Sequence, residues 1–271
     1  MQWQLAITAD LMSTIISKLY TIGYYVCAMV SDLGGKNQSL WKTLGINERN
    51  NFFLHPSDKS KKVFVFAGIP HMRNHVIDEG IQLPGGTVIN KATFQELIGK
   101  NERELKLCPK LSTSLVEVIG SQRMKVKYAV HLFSAHSAAL ALHCFPEKPE
   151  ISEFVSLINS LFDIFNSRIP KDGNNSAFGL DFNKQICLLN QGIQVFQSFR
   201  GLTKSNATRK TLIWFQKGFL VSIRSLIDLY TILKKDYSVT YILTSRLNQD
   251  ALEKFFSLIR SMGSRSTNLT H

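Results

Sequence analysis

The pattern of apolar residues changes at about residue 90, and this change constrains the fold more than any other feature. Before it, residues 24–30 and 62–67 are short apolar runs rich in β-forming side chains, and each is followed by a helical pattern. Alternating strands and helices predict an α/β sheet, and an unbroken apolar run is typical of a strand buried on both faces. After it, only helical patterns occur up to residue 236.

The predicted helices are separated by loops, several of them rich in Pro, Gly and Asn, and Pro84-Gly85-Gly86 marks a turn. They cover residues 10–23, 37–44, the region of 73–77, 91–99, 121–144, 151–167, 180–199 and 208–235. A short strand at 239–243 and an amphipathic helix at 244–260 follow. The sequence therefore predicts an α/β unit (1–89), an all-helical insertion (90–236) and a return to the α/β unit (237–271).

The chain carries a strong excess of positive charge. Its 271 residues include 32 Lys and Arg against 20 Asp and Glu, which gives a net charge of +12. Such a balance favours a polyanionic partner, first DNA or RNA and second an anionic membrane surface. The four cysteines form no CxxC pair, which favours reduced thiols over a zinc module. With neither a secretory pattern nor a spanning apolar run, a soluble intracellular protein without a membrane partner is expected.

Two acidic segments are candidates for chemistry, although each has an ordinary structural explanation. Asp32 follows the first apolar run and precedes a Gly-Gly turn, so its carboxylate is accessible and held by a rigid strand. Asp250 and Glu253 are three residues apart on the polar face of the helix at 244–260. Taken alone, an aspartate at a strand end is usually a turn former, and acidic residues near a helix start stabilise the helix dipole.

Both acidic segments resemble motifs of the P-element-type transposases, a family that includes transposase-derived proteins with a THAP zinc finger. Residues 29–41, Met-Val-Ser-Asp-Leu-Gly-Gly-Lys-Asn-Gln-Ser-Leu-Trp, are similar to the segment that holds the family's second catalytic Asp. Residues 247–256, Leu-Asn-Gln-Asp-Ala-Leu-Glu-Lys-Phe-Phe, are similar to the segment with the catalytic Glu. The resemblance implies an incomplete RNase H-like fold interrupted by a helical GTP-binding insertion. It also implies that Asp32 and Glu253 are catalytic and hold Mg²⁺, as hard carboxylates do in two-metal phosphodiester chemistry.

Three elements of the helical insertion resemble the family's GTP site, where GTP is a cofactor for assembly of the DNA complex. They are Cys-Pro-Lys-Leu at 108–111, the helix at 125–134 and Leu-Phe-Asp-Ile-Phe-Asn-Ser at 161–167. The resemblance assigns the nucleotide contacts to Lys110, Lys125, Val126, Ser134, Phe162, Asp163, Asn166 and Asp250. In this assignment lysines neutralise phosphates, a phenyl ring packs against the base, and a carboxylate accepts the adjacent N–H donors of guanine. The sequence has no Gly-x-x-x-x-Gly-Lys-Ser/Thr loop, which excludes a P-loop GTPase.

Taken singly, these nucleotide-binding elements also have ordinary explanations. Lys125 fits a solvated helix face, Phe162 fits a core position, and Asn166 fits a helix C-cap. Agreement at three separate elements favours the nucleotide site over these explanations.

The sequence departs from the family pattern at two places. The family's first catalytic Asp lies on a strand well before the second, but the 31 residues before Asp32 contain no matching strand. Asp10 stands there at a predicted helix start and fits a cap. Gly68 replaces an Asp of the family, in a segment that is also about four residues short.

The expected protein is therefore a truncated or domesticated P-element-type transposase. We expect it to bind GTP and DNA, including transposon ends, in the nucleus without full catalysis. Its protein partner would be a second copy of itself or a full-length transposase. The alternative is a non-catalytic regulatory or interaction protein, or a degenerate transposon relic. An intact nuclease requires a third carboxylate within reach of Asp32 and Glu253.

Overall fold

The computed structural model describes residues 7–68, 71–102, 106–118, 126–172, 175–249 and 258–259. The helices are α1 (Ala9–Thr21), α2 (Gly35–Thr43), α3 (His71–Asp78), α4 (Lys91–Asn101), α5 (Val126–Leu132), α6 (Ala135–Cys144), α7 (Pro149–Phe165), α8 (Phe182–Ser198) and α9 (Trp214–Tyr237). The strands are β1 (Ala28–Ser31), β2 (Phe52–Leu54), β3 (Lys62–Ala67), β4 (Ile81–Gln82), β5 (Val88–Ile89), β6 (Lys171–Asp172), β7 (Asn175–Ser176) and β8 (Arg200–Gly201). No helix among these residues is long and apolar enough to cross a membrane.

The first sheet has β3 at its centre, with β1 parallel on one side and β2 antiparallel on the other. Every residue of β3 after Lys62 is buried, as its apolar run predicts. The predicted strand at 24–30 begins later, at Ala28, and most of it is only half-buried, so full burial was a wrong prediction there. Among the described strands β1 has a neighbour on one side only, so it is less covered than β3 at the centre of the sheet. Ser31 pairs with Ala67, so β1 and β3 end at the same edge of the sheet.

Helix α9 packs against β3 and runs antiparallel to it. Ala67 N–H donates to Ser222 Oγ at 2.9 Å, and Ser225 Oγ donates to the Val65 carbonyl at 2.6 Å. These serines satisfy strand groups that would otherwise be buried without a partner. Gly218 lies against Ala67, where a side chain would not fit. Since Gly218 precedes both serines, the first turn of α9 extends past the edge at which β1 and β3 end.

Helices α4, α6, α7, α8 and α9 share one apolar core. Its large buried rings include those of Phe94, Phe133, Phe154, Phe196, Phe199 and Phe219. Neighbouring rings meet edge to face, as Phe94 and Phe133 do, or stack, as Phe196 and Phe219 do at 4.3 Å between centroids. A small antiparallel sheet, β5-β4-β8, borders this core. The predicted turn at Gly85-Gly86 joins β4 to β5, and both glycines have positive φ angles.

The predicted helix at 121–144 is interrupted where the structure describes it. α5 ends at Leu132 and α6 begins at Ala135. Between them Ser134 has an extended backbone, and its hydroxyl accepts the Ser137 N–H at 3.2 Å as an N-cap. The prediction of one helix was wrong because a serine cap competes with continued helical bonding, while Leu132 and Phe133 remain buried and hide the break in the apolar pattern.

The predicted strand at 239–243 is also wrong. Only Ile242 pairs, through a single antiparallel bridge to Phe178. Gly179 follows with a φ of +110°, which turns the partner chain away and ends the pairing. The helix predicted at 244–260 starts as a 3-10 turn over Thr244–Leu247, and most of its remaining length lies outside the described residues.

Candidate functional site

Asp32 lies directly after β1, at the edge where the two parallel strands end. Its Oδ1 accepts the Gly34 N–H at 2.8 Å and the Asn37 side-chain amide at 2.7 Å. These bonds hold the carboxylate at the turn into α2, as the Gly-Gly sequence predicts. The indole of Trp41 donates to Ser31 Oγ at 2.9 Å and fixes α2 beside the strand. A half-buried carboxylate is thus held on rigid elements at the sheet edge.

Gly68 and Gln249 complete the described part of this edge. Gly68 N–H donates to the Ser31 carbonyl at 2.8 Å, which continues the parallel pairing past β3. A methyl group placed on Gly68 would lie 2.8 Å from Gln249 Oε1 and 3.7 Å from Asp32 Cα. The absence of a side chain at 68 therefore admits Gln249 beside Asp32. Glu253 is four residues farther along the sequence and lies outside the described residues, as Asp250 does.

Asp32 is the acid that the described residues contribute to this edge of the sheet. Among the described residues, no group of three or more His, Cys, Asp and Glu is arranged to hold a metal ion. Asp32 supplies a hard oxygen donor of the kind that Mg²⁺ prefers. Gln249, the last described residue before Asp250, lies beside Gly68 and Asp32.

Asp163 faces a cleft of about 110 Å³ between α7, the β6–β7 hairpin and the start of α8. The lining residues are Ser160, Asp163, Ile164, Asn175, Ser176, Asp181, Lys184, Gln185 and Leu188. Burial raises the pKa of the Asp163 carboxyl, and hydrogen bonds from Asn175 and Asn159 offset part of that rise. The Asn159 amide donates to Oδ2 at 3.2 Å. The cleft presents a half-buried carboxylate with a cation, Lys184, among its walls.

Gln185 ties the walls of this cleft together. Its Oε1 accepts the Gly179 N–H at 2.8 Å, and its amide donates to the carbonyls of Ser176 and Ala177 at 3.0 and 3.1 Å. The β6–β7 hairpin brings Asn175 back over α7, within a segment that the sequence predicts as a connecting loop. The sequence signal for Asn175, Asp181 and Lys184 is weak, because only the folded hairpin and the start of α8 set them opposite Asp163.

A second, more open groove of about 430 Å³ adjoins the Asp163 cleft and shares Ser160 and Leu188 with it. Its walls are mostly apolar or hydroxyl-bearing, and the charged residue among them is Glu153. A carboxylate repels phosphate, so this groove does not suit a triphosphate. The Asp163 cleft holds the cation of the region, Lys184, together with two carboxylates, those of Asp163 and Asp181.

Phe162 and Asn166 lie near Asp163 in sequence but not in the cleft. The Phe162 ring is 8% exposed and lies 6.4 Å from the Phe219 ring in the core. Successive helical residues point about 100° apart, which explains why Asp163 faces the cleft and Phe162 does not. Asn166 is exposed and stands at the C-cap of α7.

Lys110 and Ser134 belong to neighbouring segments. Cys108 is buried, and its Sγ lies 3.8 Å from Ser137 Oγ, which in turn lies 3.1 Å from Ser134 Oγ. Lys110 is exposed two residues after Cys108. The structure therefore brings the 108–111 segment to the start of α6, and neither Lys110 nor Ser134 lines the Asp163 cleft. Lys125 lies outside the described residues, and Val126 begins α5, although its side chain is not described.

The C-terminal segment links the end of α7 to the edge at Asp32. Thr244 Oγ1 donates to the Ile164 carbonyl at 2.5 Å and accepts the Ser167 N–H at 3.1 Å. Ser245 N–H donates to the Ser167 carbonyl at 3.1 Å. Five residues after Thr244, the chain reaches Gln249 beside Gly68. One short segment therefore connects the neighbourhood of Asp163 with that of Asp32.

Comparison with known proteins shows which proteins this chain is similar to. The model of the TNP-like, GTP-binding insertion domain matches residues 69–177. The Transposable element P transposase of Drosophila melanogaster is 36% identical over 268 residues, and the match covers 94% of this chain. The solved Drosophila P element transposase strand transfer complex has a TM-score of 0.86 and 35% identity over 96% of this chain. The chain is a homologue of the P-element transposase. The human DNA transposase THAP9 is 28% identical over 275 residues, or 94% of this chain.

The P-element transposase homologue spans about a third of its curated relatives, since the matches cover 35% of the Drosophila protein and 30% of the human one. It covers 61% of the chain in the solved complex. The resemblance read from the sequence is thus confirmed, together with a mixed helix and sheet fold similar to that of the transposase. The GTP-binding insertion domain match contains Lys110, Ser134 and Asp163 and leaves Asp32 outside. The roles of these individual residues stay predictions.

Proposed function

We propose that this P-element transposase homologue binds guanine nucleotide in the Asp163 cleft and serves in DNA transposition in the nucleus. The observation that carries the proposal is a half-buried carboxylate, in a cleft, within the region matched by the GTP-binding insertion domain. Guanine offers two adjacent N–H donors that one carboxylate accepts together. The Asn159 and Asn175 amides hold the Asp163 carboxylate in place for this contact.

The sheet supports the second half of the proposal, an RNase H-like catalytic unit that is interrupted by the nucleotide-binding insertion. A parallel β1–β3 pair with an antiparallel β2, and an acid directly after β1, fit such a unit. Asp32 and Glu253 would hold Mg²⁺, whose chemistry is to activate the attacking oxygen and stabilise the leaving one. Asp32 is oriented for this task by Gly34 and Asn37.

The same proposal includes a limit on catalysis. Two-metal chemistry uses several carboxylates, and the resemblance assigns two of them, Asp32 and Glu253. Gly68 places no carboxylate beside Asp32, and the space is taken by Gln249. We therefore expect the chain to bind nucleotide and DNA, alone or as an oligomer, without cutting DNA by itself.

The test of nucleotide binding is a calorimetric titration of the chain with GTP. Asp163→Asn replaces an acceptor by a donor and should weaken GTP binding about 10- to 100-fold, as loss of a charge-assisted hydrogen bond does. The same variant should bind xanthosine triphosphate better than the wild type does, because the xanthine carbonyl accepts the new amide N–H. The matched control is Asp172→Asn, an exposed aspartate of the neighbouring β6 strand that does not line the cleft.

Three results bear on the proposal. Weaker GTP binding by Asp163→Asn, with a gain for xanthosine triphosphate and no change in the Asp172→Asn control, supports it. Equal GTP affinity of the wild type and Asp163→Asn would refute the cleft as the guanine site. Retention of the GTP affinity by Asp163→Asn together with its loss in Asp172→Asn would refute it equally.

A further inference from the structure

Two lysines from different helices converge on one indole ring. The Nζ atoms of Lys42 in α2 and Lys217 in α9 lie 5.9 and 5.3 Å from the centroid of the Trp214 ring. The two ammonium groups are therefore at most 11.2 Å apart, the sum of these distances. Both distances are within the range of a cation–π contact, which holds each ammonium near the ring. Lys42, Trp214 and Lys217 are called the basic patch below.

The basic patch is anchored rather than loosely held. Trp214 packs against the small core formed around Trp41 and Val221. Lys217 follows Trp214 by three residues on α9, so the two side chains are neighbours on one helix face. Lys42 follows Trp41, whose indole is bonded to Ser31. The positions of both ammonium groups thus depend on buried elements of the first sheet.

The patch lies at the same edge of the sheet as Asp32. Gly218, directly after Lys217, approaches Ala67 and Leu33, which is the residue after Asp32. α9 runs antiparallel to β3, so Trp214 lies about one turn beyond Gly218, past the end of the strands. Lys42 is seven residues after Gly35, the first residue of α2, so it lies about 10 Å along the helix from the turn that holds Asp32. That distance corresponds to about three base pairs of a duplex.

The described residues supply no carboxylate that contacts the patch. Among the described residues, no carboxylate oxygen lies within 4.0 Å of the ammonium group of Lys42 or Lys217. Two like charges held close together repel each other, which disfavours the arrangement unless an anion lies nearby. A backbone with one phosphate per nucleotide supplies that anion, and its binding releases condensed counterions.

We propose that Lys42, Trp214 and Lys217 form a docking patch for the phosphate backbone of the DNA that reaches Asp32. This assignment rests on the proposed transposase function and adds to it the residues that hold the DNA next to the acid. Lys42 and Lys217 contact phosphates, and Trp214 positions the two ammonium groups. Because the contact is to the backbone, the patch sets the path of the DNA and does not read its sequence.

The experiment is a salt series of fluorescence anisotropy titrations of the chain with a short labelled DNA duplex. The double variant Lys42→Gln/Lys217→Gln should reduce the slope of log K against log salt by about 1.8, since each phosphate contact contributes about 0.9. The double variant Lys42→Arg/Lys217→Arg keeps both charges and should keep the slope. Trp214→Leu keeps an apolar side chain without the aromatic ring and should weaken binding less than the double glutamine variant.

A matched control is available on the same helix. Lys234 and Lys235 are adjacent near the C-terminal end of α9, and Lys234 also lies over an aromatic ring, 5.7 Å from the centroid of Tyr230. They are about 25 Å from Lys217 along the helix. The variant Lys234→Gln/Lys235→Gln removes the same charge and should leave the slope unchanged.

The outcomes distinguish a failure of the basic patch from a failure of the proposed function. Suppose that the wild type binds DNA with a steep salt dependence and that the Lys42→Gln/Lys217→Gln variant has the same slope. The assignment of phosphate contacts to the basic patch is then refuted, and the proposal that the chain binds DNA stands. Equal losses in the patch and control variants also overturn the patch. If the wild type does not bind DNA, both the patch and the DNA half of the proposed function fail, while the GTP titration still tests the nucleotide half. Tighter binding to an RNA duplex of the same sequence would overturn the choice of DNA.

Discussion

Replacing Gly218 by alanine tests whether the close packing of α9 on β3 sets the geometry of the sheet edge. A Cβ at this position would lie 2.9 Å from Ala67 Cβ and 2.9 Å from Leu33 Cδ1. Carbon atoms pack at about 3.5–4.0 Å, so at least about 0.6 Å of movement is needed. The Leu33 tip can rotate, but the Ala67 methyl is fixed to the central strand. α9 also has little freedom to move away, because Ser222 and Ser225 hydrogen-bond to that strand.

The expected magnitude is a balance of two effects. Overpacking of a core costs about 1–3 kcal/mol, whereas replacing a helical glycine by alanine contributes about 1 kcal/mol in the opposite direction. We expect Gly218→Ala to lower the free energy of unfolding by about 1 kcal/mol, and hence the melting temperature by about 2–4 °C. The assay is urea unfolding followed by circular dichroism.

Gly99 provides the matched control for this prediction. It is an exposed glycine of α4, and a Cβ placed on it meets no atom within 4 Å. Gly99→Ala should therefore raise the free energy of unfolding by up to about 1 kcal/mol through helix propensity alone. If Gly218→Ala stabilised the protein as much as Gly99→Ala does, the close contact between α9 and β3 would be refuted.

Two further predictions concern buried polar groups. Thr244→Val removes the hydroxyl that hydrogen-bonds to Ile164 and Ser167. It should lower the free energy of unfolding in urea by about 1–3 kcal/mol, because the buried partners lose their hydrogen bonds. An unchanged urea midpoint would contradict this prediction. Burial lowers the pKa of His75 below its ordinary 6.5, although Glu79 partly opposes this. The unfolded state therefore binds a proton at His75 more readily than the folded state does. The stability that neutral His75 contributes is fully present above pH 6.5 and is lost as the pH falls through the folded-state pKa. His75→Gln should flatten this part of a stability–pH curve, and an unaltered curve would count against it.

Local patterns in the sequence predicted most of the helices and the central strand of the first sheet. The run at 62–67 is β3, and the helical patterns at 10–23, 151–167 and 180–199 agree closely with α1, α7 and α8. These predictions succeed because amphipathic periodicity reports directly on which face of an element is buried. The failures come from interactions outside the local pattern. Ser134 ends a helix through one cap bond, and Gly179 limits the pairing of the 239–243 segment.

The candidate site likewise has residues that the sequence predicts and residues that it does not. Asp32 could be chosen from its position after an apolar run, and Asp163 from the resemblance of residues 161–167. The partners of Asp163 could not be chosen, because Asn175 and Lys184 reach it through a hairpin turn and a second helix. The placement of Phe162 in the core likewise follows from the packing of α7 on α9.

The sequence by itself determined the resemblance to P-element-type transposases, most of the helices, the central strand of the first sheet, and the chemical types available at the site. Those properties depend on residues that are close in the chain, where periodicity and motif spacing carry the information. Only the tertiary structure decided that α9 lies across β3, that Gln249 occupies the space beside Asp32, and that Lys42 and Lys217 share the ring of Trp214. These contacts join residues up to about 180 positions apart, and they form because the helices bury their apolar faces against the sheet.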